Sequence, residues 1–219
     1  MTSVDPSRAL DDEVAGCAAA HQALLRTLDD ARDRPNVDPG TASVLPNWTI
    51  GHVLTHLARN ADALRAMFDG AAAGEVRPMY PSAEQREADI NAGAGRKLGE
   101  LVSDVRTSIW ALEGAWAQLD AEGWKGHGLT RVGKVPVAEF PKLRWREVEV
   151  HHADLGLSAF TPAHWSNQFV AMDLKRRLTE WQADGSSFPD EVAAARPWQQ
   201  LAWLLGRPSG LETAPPKWV

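Results

Sequence analysis

Residues 146–156 read REVEVHHADLG. Two acids and two histidines fall between Glu147 and His152, in a stretch whose spacing is otherwise helical. On a helix, Glu147 and His151 stand four residues apart, one turn along a single face. Asp154, three residues beyond His151, shares that face and can accept the hydrogen bond that fixes a ligating histidine's tautomer. Glu149 and His152 point elsewhere. The stretch reads as a solvated helix face, a structural histidine cluster, or half of a metal site.

Working outward, this helix starts near Val137, tolerates Pro141 in its first turns and ends at Gly156. Upstream, Leu10, Val14, Cys17, His21, Leu24, Leu25 and Leu28 recur at the three-and-four spacing of one helix face, over roughly 6–33. A Pro- and Gly-broken loop follows, and a second helix runs from about Thr49 to Ala73 with Val53, Leu54, Leu57, Ala61, Leu64 and Phe68 inward. Ser82 with Gln85 makes a capping-box start for a third, long helix expected to reach about Leu119, loosened at Gly93 and Gly95. The stretch 120–136 is irregular, with room for a short extended piece. Four long helices imply a four-helix bundle, the natural way to bury four apolar faces. Two more helices, over roughly 164–183 and 190–206, complete a mainly α chain.

The second helix carries NWTIGHVLTHLARN, with His52 and His56 also four apart. His56 falls in register with the apolar stripe and should face the bundle interior, whereas His52 reads as structural. Bundles build metal sites from side chains on facing helices. Two His and one Glu would give three ligands and an open position, the catalytic type of zinc site. The competing reading pairs Glu147 with Arg144 or Arg146 and leaves the histidines as satisfied core groups.

Composition narrows the rest. A net charge of −6 with scattered Lys and Arg argues against non-specific nucleic-acid binding. No apolar run approaches the ~18 residues of a membrane span, and the acidic N-terminus is unlike a signal peptide, so the expected compartment is the cytoplasm. A single cysteine, Cys17, excludes an internal disulfide and reads as a buried, inert thiol. Ten tryptophans are many for 219 residues, and some could line a pocket.

Four stretches resemble the mycothiol-dependent maleylpyruvate isomerase family: NWTIGHVLTHLARNADAL, PMYPSAEQREADI, VGKVPVAEFPKLRWREVEVHHADLG, and the C-terminal Gly206–Arg207 with the closing PPKW. The resemblance implies a DinB-like metal-binding bundle over 1–158, followed by a C-terminal region, 159–219, that looks reduced beside the family's longer α/β domain. It implies zinc held by His56, Glu147 and His151, a functional arginine at Arg207, and a substrate- or thiol-binding arginine at Arg86. It implies a low-molecular-weight thiol, mycothiol or ergothioneine, as cofactor, and a small-molecule substrate and that thiol as partners, with no nucleic acid or membrane and the oligomeric state left open. The implied reaction turns maleylpyruvate into fumarylpyruvate, as in gentisate-type aromatic degradation, by thiolate addition, bond rotation and elimination. The alternatives are another thiol-dependent transferase or isomerase using ergothioneine, glutathione or bacillithiol, and a non-enzymatic metal-binding bundle.

Overall fold

The computed structural model describes residues 6–34, 37–183 and 185–216. Eight α-helices and one hairpin follow in the order α1 (Pro6–Arg32), α2 (Ile50–Ala72), α3 (Ala83–Ala94), α4 (Leu98–Ala117), β1 (His127–Thr130), β2 (Gly133–Pro136), α5 (Phe140–Asp154), α6 (Asn167–Ala183), α7 (Asp190–Ala193) and α8 (Pro197–Leu204). The closing Lys217 and Trp218 lie outside the described residues.

Helices α1, α2, α4 and α5 form the bundle, with α2 against α4 and α1 against α5. The stripes expected from spacing are the ones buried: Cys17, Leu24 and Leu28 from α1, and Val53, Leu54, Leu57, Ala61 and Phe68 from α2. Close approach of α1 to α5 depends on Gly16. A Cβ there would lie 2.3–2.6 Å from the Trp145 ring. Thr49 caps α2 and His52 closes the capping box, its Nδ1 accepting from Thr49 N at 3.2 Å. His52 is thus structural, as its sequence position suggested.

Two expectations are corrected. The long third helix is two, α3 and α4, broken at Gly95–Lys97. Arg96 stabilises the break, donating from Nε to Gly93 O and from Nη2 to Asp104. The glycines end a helix here, where they were expected only to loosen one. The last expected helix is also split, into α7 and α8, before Pro197, whose missing N–H suits a new first turn. The short extended piece expected within 120–136 is present, as an antiparallel hairpin with His127 opposite Pro136 and Thr130 opposite Gly133.

The hairpin ties down a neighbouring segment. Leu129 donates to Arg77 O and accepts from Met79 N, at 2.9 and 2.8 Å. That pairing holds 77–80 across the end of the bundle. The loop before α2 is anchored likewise, Val44 N donating to Asp154 O at 2.9 Å. Downstream of α5, Trp165 Nε1 donates to Glu149 O at 2.8 Å. The buried apolar side chains form a continuous cluster from α1 through α6 to α8. Among the described residues, no helix is long and apolar enough to cross a membrane.

Candidate metal centre

Helices α2 and α5 bring His56 and Glu147 together although 91 residues separate them. His56 Nε2 lies 2.9 Å from Glu147 Oε2. His151, one turn on from Glu147, places its Nε2 3.5 Å from the same oxygen. One ligand atom from each residue falls within 4.8 Å of the others, and the two imidazole rings meet edge to face at 4.7 Å. Glu147 therefore turns to the histidines. Arg144 goes into the core and Arg146 to Asp173.

Hydrogen-bond polarity assigns the protons. Arg86 Nη2 lies 3.2 Å from His56 Nδ1 and can only donate, so Nδ1 accepts and Nε2 carries the proton towards Glu147. His151 Nδ1 donates to Asp154 Oδ2 at 2.9 Å, which aims Nε2 into the cluster. Burial pushes His56 down to about 4, against the pull of Glu147. Burial would also push His151 down, but its hydrogen bonds to Asp154 and Glu147 override that and hold it up at about 9. Glu147, despite burial, is held well below the usual carboxylate range by His151 and His56.

The donor set suits a divalent cation: two imidazoles and a carboxylate converge, and a carboxylate backs one imidazole. One contact does not suit it. A cation on His56 Nε2 leaves the ring proton on Nδ1, facing a donor of Arg86, so that contact cannot persist with a cation bound.

Arg207 reaches Asp154 from the C-terminal region. Nε and Nη2 grip Oδ1 and Oδ2 at 2.8 and 3.0 Å, and Nη1 donates to Leu205 O at 2.6 Å. Asp154 and Arg207 also form one wall of a cavity of about 290 Å³, with Phe160, Trp198 and Ser209 among its other lining residues. Arg86 lies beside Tyr80, its guanidinium carbon 5.7 Å from the ring centroid.

A second polar cluster, missed by sequence reasoning, lies deeper. Arg144 is fully buried and donates to His21 Nε2, Leu57 O and Asn60 Oδ1 at 3.1, 2.9 and 2.7 Å. His21 in turn donates from Nδ1 to Glu113 at 2.8 Å. The available clue was Arg144 one turn before Glu147, on an inward face. Cys17 is buried, and burial pushes its thiol up out of the nucleophilic range, so it is inert as expected.

Comparison with known proteins gives a consistent result. The family model described as mycothiol maleylpyruvate isomerase N-terminal domain matches residues 5–156. A crystal structure of the mycothiol-dependent maleylpyruvate isomerase is similar at 25% identity and a TM-score of 0.81, covering 95% of this chain and 97% of that one. A histidine-to-alanine mutant of that enzyme gives a TM-score of 0.82 at 24% identity, with the same coverage. No curated protein matches by sequence. Coverage of 97% leaves no long C-terminal domain of the solved isomerase unmatched, so the expected reduction of 159–219 relative to that enzyme does not appear.

Proposed function

The chain belongs to the mycothiol maleylpyruvate isomerase N-terminal domain family, and from that premise we propose that it is a zinc- and thiol-dependent isomerase converting maleylpyruvate to fumarylpyruvate. The observation that carries this reading is the convergence of His56, Glu147 and His151 across α2 and α5, with no fourth His, Cys, Asp or Glu in the group among the described residues.

In this reading His56, Glu147 and His151 hold the metal. When bound, the zinc–thiol pair supplies a thiolate, whose reversible addition to the conjugated alkene makes the bond single and free to turn. The protein's own groups then do four things. Asp154 keeps the His151 proton on Nδ1, so that Nε2 offers its lone pair. Arg207 holds both oxygens of Asp154 in place from the C-terminal region, fixing the carboxylate that backs His151. Arg86, once released from His56, supplies a second cation for an anionic substrate. Trp48 packs against the His56 ring in an edge-to-face contact at 5.5 Å. The partners are small molecules, a thiol and an unsaturated oxo acid, and the compartment we propose is the cytoplasm.

The test is an assay of maleylpyruvate with mycothiol, ergothioneine, glutathione and bacillithiol, on zinc-loaded protein and on His56→Ala and Glu147→Ala. Turnover with mycothiol or ergothioneine, lost together with bound metal in both variants, is the expected result. Metal retained at full stoichiometry in both variants would remove the site assignment, and no turnover with any thiol would remove the enzymatic reading.

A further inference from the structure

The contact between Arg86 and His56 sets a condition on metal loading. Arg86 stands in the first turns of α3, four residues after Ser82, whose side chain caps the helix by accepting from Gln85 N at 3.1 Å. Its neighbours on that helix, Glu84, Gln85, Glu87 and Asp89, are exposed, whereas Arg86 is half-buried and reaches in to His56. Its Nη2 lies 3.2 Å from His56 Nδ1, and its guanidinium carbon lies 5.7 Å from the Tyr80 ring centroid. Among the described residues Arg86 makes no salt bridge, so a half-buried cation faces the site with neutral partners, an imidazole and a phenol ring. The two nitrogens of that imidazole cannot serve both neighbours at once. While Arg86 donates to Nδ1, Nε2 carries the proton, 2.9 Å from Glu147 Oε2, and has no lone pair for a metal. Ligation through Nε2 moves the proton to Nδ1, which then meets a group that only donates. His56 is 3% exposed and wedged between Trp48 at 5.5 Å and His151 at 4.7 Å, so its ring has no room to step aside. The arginine, on an exposed turn, is the part free to move.

We propose that Arg86 is an interlock between the two ligands of the site: a metal binding through His56 expels it, and the freed guanidinium then captures the carboxylate of a small organic acid. The inference deepens the isomerase reading and rests on its metal assignment. Metal loading has to break a charge-assisted hydrogen bond and bring a second positive charge beside the first, so Arg86 weakens metal binding while it has no other partner. A carboxylate supplies that partner, because its two oxygens match the guanidinium fork. Each ligand therefore strengthens the binding of the other, by the same factor in both directions. The acid is taken up by metal-loaded protein in preference to metal-free protein, in which Arg86 is still held on His56.

The experiment titrates zinc into the metal-stripped full chain against a competing chelator, with and without maleate, a cis-dicarboxylate that lacks the oxo group. In the wild type, saturating maleate should raise zinc affinity about tenfold, the scale of one hydrogen bond to a charged group. Arg86→Met should raise zinc affinity by a similar factor without maleate, at unchanged Tm, and should abolish the effect of maleate. Persistence of that effect in Arg86→Met would mean that maleate acts on the metal directly, and overturns the proposal. Tyr80 is the chain's one tyrosine, so protein labelled with carbon-13 in the tyrosine ring gives signals from a single ring beside Arg86. Zinc should shift those signals in the wild type and leave them in place in Arg86→Met. Zinc that binds the wild type without moving them, or binds Arg86→Met with wild-type affinity, also overturns the interlock. Absence of zinc binding in both proteins would instead overturn the metal centre, and with it the isomerase reading.

Discussion

Asp154 Oδ2 accepts from two sides, from His151 Nδ1 at 2.9 Å and from Arg207 Nη2 at 3.0 Å. Its carboxylate is held low by those hydrogen bonds, against burial. A lysine in place of Arg207 keeps a charge but cannot reproduce the two-pronged grip. We expect Arg207→Lys to fold and to bind a full equivalent of zinc, while turnover falls about a hundredfold. Metal analysis alongside steady-state kinetics checks it, and near-normal turnover would remove Arg207 from the mechanism. At this scale the sequence was informative about pairs and silent about directions. Helical spacing selected Glu147 and His151, because four residues make one turn. It could not show that Arg207 closes on Asp154 across 53 residues, nor that Arg144 turns inward to His21 and Asn60 instead of pairing with Glu147.

The elements explain which parts of the fold were readable. Helices α1 and α2 were visible because their apolar residues recur at helical spacing, and period is a strong cue over many turns. The α3–α4 break was not. Gly93 and Gly95 are compatible with a loosened helix, and what ends the helix is a tertiary contact, Arg96 reaching Asp104. The hairpin was legible only as irregularity, since strands of four residues carry too little alternation to register. Helix packing itself gives a testable quantity. Gly16→Ala would press a methyl group into the Trp145 ring, with contacts of 2.3–2.6 Å to be relieved by shifting α1 or α5. Overpacking of this kind costs about 1–3 kcal/mol, and the urea midpoint should fall accordingly. An unchanged midpoint would show that the two helices are not in close contact there.

Across the whole molecule, polar groups thread an otherwise apolar core from Glu113 through His21 and Arg144 to Asn60, and Arg86 meets the proposed metal triad at His56. His21 is fully buried, accepts from Arg144, and is pushed down to about 4 mainly by burial. Its folded value lies below the ~6.5 of an exposed histidine. The folded state therefore gains nothing from its neutrality above pH ~6.5, and is increasingly penalised as pH falls towards 4, because the unfolded chain takes up a proton that the folded chain refuses. For His21 alone the loss is on the order of 3 kcal/mol by pH 4. His21→Gln keeps an acceptor for Arg144 and should flatten the decline in stability between pH 6.5 and 4, measured by urea unfolding at several pH values. A variant that follows the wild-type decline would place the acid sensitivity elsewhere.

The clamp of Arg207 on Asp154 also has a consequence in time. Synthesis lays down all three proposed metal ligands by position 151, whereas Arg207, which grips the backing carboxylate of Asp154, comes 53 residues after Asp154. On a ribosome, a growing chain can thus acquire the means to capture a cation well before it has the means to hold Asp154 on both sides. If the three do bind a cation, the order of synthesis separates the making of the ligands from the making of the clamp on Asp154.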